Sequence, residues 1–335
     1  MAIQQPFVYD GSAIRNRSPL AAVVDVDPAR MASDHGLTGV APFLANPGVT
    51  PIALLGGRGA AGYARVGRWA VTPGDVLAPA PLREAALAEY LTILSERRLR
   101  PVFLAAGEPE TYRVQGMHVV EIADEATIQL PGFALSGSRR ANIRHSTTSA
   151  RRAGLTVVPY APRYEQQIAE ISEEWLRTKR GGELGFTLSR HQDIKRQLEN
   201  GTADLWLTVD GDDVVQAWCT WRPYLGGNAR VLDVMRRRVH APNPAMDALL
   251  VTVLENYRDA GLVEASLASV PRSHGELGER LFPARSLRAY KEKFNPDWTP
   301  RWFAVPARRH ELLALAAVGK AYCPGGLRRA MSRNR

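Results

Sequence analysis

The apolar positions fall into two successive runs of the same kind. From Pro51, P-I-A-L-L and then Y-A-R-V-G-R-W-A-V-T nearly alternate, which predicts an antiparallel pair of strands. Pro81 to Arg98 carries Leu82, Ala85, Ala86, Tyr90, Ile93 and Leu94 at helical spacing, R-P-V-F-L-A-A reads as a buried strand, and H-V-V-E-I-A and T-I-Q-L continue the sheet. The second half repeats the plan without visible identity. L-T-V-V-P-Y from Leu155 is a strand, Tyr164 to Arg177 a helix with Ile168, Ile171 and Trp175 inward, and A-D-L-W-L-T-V and V-V-Q-A-W-C-T-W are two strands around a D-G-D-D turn.

Next comes the stretch Leu232 to Asp259. A short strand run (Arg230, Val231, Leu232) ends in Asp233 and Arg236, and a Pro-rich turn leads into a helix near Ala245. That helix has Met246, Leu249, Leu250, Val253, Leu254 and Tyr257 on one face and Gly261 as its stop. V-E-A-S-L-A-S-V closes the pattern as another strand. Met1 to Asn46 shows no firm period beyond one short helix. The reading is two mixed α/β halves (α+β), each a strand, helix, strand, strand unit of the GNAT acyltransferase type, in mostly antiparallel sheets with flanking helices. The N-terminal half spans 1–154, including a basic linker helix at about 136–153. The C-terminal half spans 155–306, and a basic tail 307–335.

Composition narrows the possibilities. The 335 residues, 45% hydrophobic, suffice for two buried cores, and no run approaches the roughly 20 apolar residues of a membrane-spanning helix. M-A-I-Q-Q-P-F-V-Y-D lacks the basic start and apolar core of a secretory signal, so a cytoplasmic chain is expected. Cys219 and Cys323 have no paired spacing, the seven histidines no ligand spacing, and the D-G-D-D carboxylates read as solvated charge, so neither a disulfide nor a metal site is expected. Trp175, Trp206, Trp218, Trp221 and Trp302 read as core. A net charge of +9 favours polyanionic partners, RNA or anionic lipid. Between the halves, S-R-R-A-N-I-R-H-S-T-T-S-A-R-R brings Arg140, Arg144 and Arg151 near one helical face with Arg139 and Arg152 beside it. A phosphate-contacting helix and a solvated basic helix both look like this.

Three blocks in order, I-S-E-E-W-L-R-T-K-R-G-G-E-L-G-F-T-L (Ile171 to Leu188), L-D-V-M-R (Leu232 to Arg236) and S-L-R-A-Y-K-E-K-F-N-P-D-W-T-P-R-W-F-A-V (Ser286 to Val305), carry a resemblance. With F-A-L-S-G-S-R-R-A-N-I-R from Phe133, they resemble the C-terminal catalytic region of phosphatidylglycerol lysyltransferases, the multiple peptide resistance factor family, over about residues 60 to 305 and without that family's transmembrane part. The resemblance implies a tandem GNAT-type fold and transfer of an amino acid from aminoacyl-tRNA, as co-substrate and with no other cofactor, to a hydroxyl or amine acceptor. The acceptor is an anionic lipid of the phosphatidylglycerol type, which would place the chain against the inner membrane face, or a soluble small molecule, as in natural-product tailoring.

By motif position, Asp233 is the candidate to orient or deprotonate the acceptor or to hold the substrate ammonium, and Arg236 and Lys291 to hold phosphate or oxyanion charge. Glu183, Ser286, Lys293 and Arg301 are candidates for substrate binding, with Glu183 at the amino group. Lys291 and Lys293 are expected to share one face of a strand or turn. Arg139, Arg140, Arg144, Arg151 and Arg152 would meet the tRNA acceptor end. S-L-A-S-V-P-R (Ser266 to Arg272) and A-P-N-P-A (Ala241 to Ala245) depart from the family pattern, which keeps a soluble acceptor level with the lipid. Two further classes compete: an acyl-CoA N-acyltransferase, which lacks its R/Q-x-x-G-x-G/A turn here (R-D-A-G-L-V at Arg258 comes nearest), and a non-catalytic module binding RNA or a membrane surface. The geometry expected of an enzyme is that Asp233, Arg236 and Lys291 converge on one cleft.

Overall fold

A computed structural model describes residues 26–178, 185–272 and 284–322. Its strands are β1 (Thr50–Leu54), β2 (Gly59–Val66), β3 (Trp69–Pro73), β4 (Arg100–Ala106), β5 (His118–Gln129), β6 (Thr156–Pro159), β7 (Asp204–Val209), β8 (Val215–Tyr224), β9 (Ala229–Arg237), β10 (Glu264–Pro271) and β11 (Asp297–Val305). The helices are α1 (Pro28–His35), α2 (Arg83–Glu96), α3 (Pro109–Arg113), α4 (Ala141–Arg152), α5 (Glu165–Thr178), α6 (His191–Glu199), α7 (Ala245–Asp259), α8 (Ala284–Glu292) and α9 (Glu311–Tyr322). All strands join one sheet in the order β1-β2-β3-β4-β11-β5-β10-β9-β8-β7-β6.

The repeated plan is visible in the pairing. β3 and β4 are parallel and joined through α2, and β9 and β10 are parallel and joined through α7, while the other ladders are antiparallel. The mixed α/β sheet with flanking helices expected from the hydrophobic pattern is therefore the fold observed. The two halves exchange strands at the centre: β11, late in the chain, lies between β4 and β5, and β5, from the first half, pairs with β10 of the second.

Several elements differ from the sequence reading. β5 is one continuous strand rather than two, and β9 runs on through Arg237, so Asp233 and Arg236 sit inside it. α6 was not expected, because H-Q-D-I-K-R-Q-L-E offers only Ile194 and Leu198 to an apolar face. Lys291 belongs to the last turn of α8, not to a strand or turn, so K-E-K follows a helical period that sends Lys291 and Lys293 to different partners. Glu311–Tyr322, read as tail, forms α9, whose Ala314, Ala317 and Val318 pack into the core cluster that includes Ala60 and Val71. Gly261, at φ +82°, is the stop of α7 as expected, in the left-handed position that glycine adopts without cost. Among the described residues, no helix is long and apolar enough to cross a membrane.

Candidate active site

The parallel strands β9 and β10 pair over only three rungs, Glu264 with Ala229, Ala265 with Arg230 and Ser266 with Val231. Beyond the last rung each strand bulges. In β10 four residues, Ser266 to Ser269, face the three from Thr127 to Glu125, and Ala268 takes up φ +65°, a left-handed conformation that costs a non-glycine residue energy. In β9 the register against β8 slips between Leu232 and Met235, and the Val234 N–H donates to Thr220 Oγ1 at 3.1 Å in place of a backbone partner. Two adjacent bulges past the final rung part the strands, and the polar groups gather there.

On the β9 side, Asp233 is buried and its Oδ1 accepts the Ser189 N–H at 2.9 Å, while Oδ2 has no hydrogen-bond donor among the described residues. Burial pushes the Asp233 carboxyl above the usual aspartate range, opposed first by the nearby Arg222 charge and then by Ser189 and Arg236. Strand alternation on β8 explains the neighbours: Trp218, Thr220 and Arg222 share one face, and Ala217, Cys219 and Trp221 face α7 on the other. Arg222 is fully buried over the Phe43 ring and donates from Nη1 to Asn46 Oδ1 at 2.7 Å. The Arg236 guanidinium lies between Trp175 and Trp218, at 4.7 and 5.5 Å from the ring centroids.

On the β10 side, the buried Lys291 donates from Nζ to the carbonyls of Ala268 at 2.8 Å and Ser269 at 3.3 Å, so its amine caps the bulge. Burial lowers the Lys291 pKa to about 7, with the Glu125 charge opposing. Glu125, wholly buried on β5, accepts from Arg301 Nε at 2.5 Å, from the Gly39 N–H at 3.0 Å and from the Ser266 hydroxyl. Gly39 has to be glycine, since a Cβ there would fall on Glu125, Val231 and Ser266.

Asp233 and Arg236 are thus brought together, and Lys291 lies at the neighbouring strand's bulge. No hydrogen bond or ion pair among the described residues joins Lys291 to Asp233. Arg301 is held by Glu125. Lys293 reaches Asp247 at the start of α7, at 3.1 Å, and lies over Tyr290. Ser286 is exposed on the first turn of α8. Glu183 and the tail residues 323–335 lie outside the described residues.

The basic helix begins only at Ala141, which leaves Arg139 and Arg140 ahead of it instead of on its face. Arg140 donates to the carbonyls of Ala134 at 2.6 Å and Phe294 at 3.3 Å and covers Phe133, and Arg144 donates to Leu135 and Gly137. These two arginines tie the preceding loop to the helix, and Arg139, Arg151 and Arg152 stay exposed.

Sequence reasoning missed Arg222, Glu125 and Ser189 and took Trp175 for core. The available signal was an arginine inside the apolar strand W-C-T-W-R-P-Y, a position that burial on both faces makes costly without a purpose. A cleft of roughly 860 Å³ lies elsewhere, between Tyr160, Trp206, Tyr257 and the Asp204–Arg230 pair toward the start of β9. Asp204 and Arg230 are paired there, as are Glu165 and Lys195, whereas on the β9 side of the bulges one Asp233 oxygen has no hydrogen-bond donor among the described residues.

Comparison with known proteins bears on the family and the fold. A phosphatidylglycerol lysyltransferase of Staphylococcus xylosus is 26% identical over 223 residues, covering 60% of this chain and 26% of that protein. One of Bacillus subtilis is 24% identical over 273 residues, covering 74% of this chain and 31% of that protein, so the chain spans about a quarter to a third of these relatives. The solved structure of L-PGS from Bacillus licheniformis superposes with a TM-score of 0.78 at 21% identity, covering 89% of this chain and 97% of that one, and shares the fold. The profile of the family described as phosphatidylglycerol lysyltransferase, C-terminal, matches residues 40–305, and the chain belongs to that family.

Proposed function

We propose that the chain transfers an aminoacyl group from the 3′ ester of a charged tRNA to an acceptor hydroxyl or amine, in the gap that the bulges of β9 and β10 open. The observation that carries this is the pair of polar clusters at the bulges, Asp233 with Arg222 and Arg236 on the β9 side and Lys291 with Glu125 and Arg301 on the β10 side. The ester is already activated, so catalysis reduces to holding the reactants and managing charge. The acceptor oxygen or nitrogen attacks the ester carbonyl carbon, the bond to the tRNA ribose oxygen breaks, and the acceptor proton ends on that leaving oxygen. In this reading Asp233 takes the proton or holds the donor ammonium. Lys291, with its pKa lowered to about 7, can supply a cation to the oxyanion or a neutral amine to the proton. Arg139, Arg151 and Arg152 are the exposed cations that remain for the tRNA backbone.

The start of α7 favours this donor over an acyl-CoA. A pyrophosphate needs free N–H groups at a helix start, but here Pro242 and Pro244 have none, Ala245 and Ala248 donate back to them, and Asp247 adds a negative charge. Phosphatidylglycerol is the acceptor named for the relatives and is the first reading. A soluble acceptor is the second, because the departing segment Ser266 to Arg272 forms the bulge that Lys291 caps.

The test is to offer the protein labelled aminoacyl-tRNAs or labelled acetyl-CoA, with phosphatidylglycerol vesicles or a small-molecule extract. Label moving from tRNA to lipid supports the first reading and label in the soluble fraction the second. Use of acetyl-CoA with all aminoacyl-tRNAs untouched overturns both.

A further inference from the structure

The helix α9 lies beyond residue 305, where the family match ends, and it keeps a second face to solvent. Its inner face, Ala314, Ala317 and Val318, is packed against the sheet. Its outer face carries Leu312 and Leu313, 81% and 60% exposed, two of the few large apolar side chains the described residues leave in water. Counting by helical spacing, Arg309, Leu312, Leu313, Ala316 and Lys320 form one exposed stripe, with a leucine pair at its centre and a cation at each end. Arg308 adds a further exposed cation at the leading end. Glu311, the only carboxylate between Arg308 and Tyr322, is turned aside to His118 Nε2 at 3.2 Å.

We infer that this stripe docks the protein on an anionic bilayer surface, with Leu312 and Leu313 entering the headgroup boundary and Arg308, Arg309 and Lys320 meeting lipid phosphates. The chemistry selects that occupant. Exposed leucines gain by leaving water, a helix whose one carboxylate is engaged by His118 while its exposed charges are cations gains near anionic headgroups, and a patch this small with cations at both ends suits a shallow lipid surface better than a protein groove. The inference gives the lipid acceptor of the proposed function a place from which to reach the site, but the docking itself is measured without any transfer.

The full chain is sedimented with phosphatidylcholine vesicles, alone or carrying about one-third phosphatidylglycerol. Binding is expected only with the anionic lipid. It should fall by roughly ten-fold both in Leu312→Gln with Leu313→Gln and in Arg309→Glu with Lys320→Glu. These side chains are exposed, so the melting temperature should be unchanged. Failure of the wild-type chain to bind anionic vesicles overturns the inference, as does full binding by the leucine variant. So does sedimentation equilibrium showing that the leucines instead join two copies of the chain. Transfer to a short-chain phosphatidylglycerol dispersed in water should survive in the leucine variant, and its absence from the wild-type chain would sink the proposed function while leaving the vesicle result standing.

Discussion

Lys291 and Glu125 show at the residue scale how burial fixes the chemistry. Between about pH 7 and the ordinary lysine value of 10.5, the unfolded chain holds a proton that the folded chain has released at Lys291. Stability therefore rises with pH across that window, by up to about 1.4 kcal/mol per unit from this group. Lys291→Met should flatten that slope in denaturant titrations and abolish transfer, whereas a lysine needed only for packing would leave transfer intact. Glu125→Gln removes the partner of the buried Arg301 and should cost about 3 to 5 kcal/mol in equilibrium unfolding. Asp233→Asn should lower transfer at least about 100-fold without a comparable loss of stability, since the oxygen it changes makes no hydrogen bond to the described protein. The motif blocks single out Asp233, Arg236 and Lys291 as candidates. Glu125 could not, because its partners Arg301 and Ser266 stand 176 and 141 residues further along the chain.

At the scale of elements, the sequence shows what is periodic and hides what is paired. α7 follows directly from its apolar stripe, whereas α8 does not, since K-E-K fits a strand and a helix equally and only the carbonyls at Ala268 and Ser269 decide. The bulges of β9 and β10 leave no pattern either, because a single inserted residue disturbs the alternation no more than ordinary sequence variation. The α4 arginines divide into two groups by their partners. Arg140→Ala should lower stability by about 1 kcal/mol, through loss of its bonds to Ala134 and Phe294, and leave the salt dependence of tRNA binding unchanged. Reversing Arg139, Arg151 and Arg152 to Glu should weaken tRNA binding and flatten its dependence on log salt, because each phosphate contact that is lost no longer releases a counterion. Filter binding across a salt series separates the two groups.

Over the whole molecule, the hydrophobic pattern shows two halves in series, while the sheet shows them interlocked. The order β4-β11-β5-β10 gives each half a strand against the other's parallel pair, an arrangement invisible in the pattern because the spacing of apolar residues marks a strand and not its neighbours. A fragment that begins at Leu155 would lack β5 beside β10, and one that ends at Gly154 would lack β11 between β4 and β5. Each should therefore aggregate when made alone, and the intact chain should melt in one calorimetric transition. The same interleaving bears on how the chain is born. While the ribosome is still building the second half, β4 and β5 must wait with open backbone edges for a strand that ends at Val305, so the first half stays exposed to misassociation until that strand has emerged.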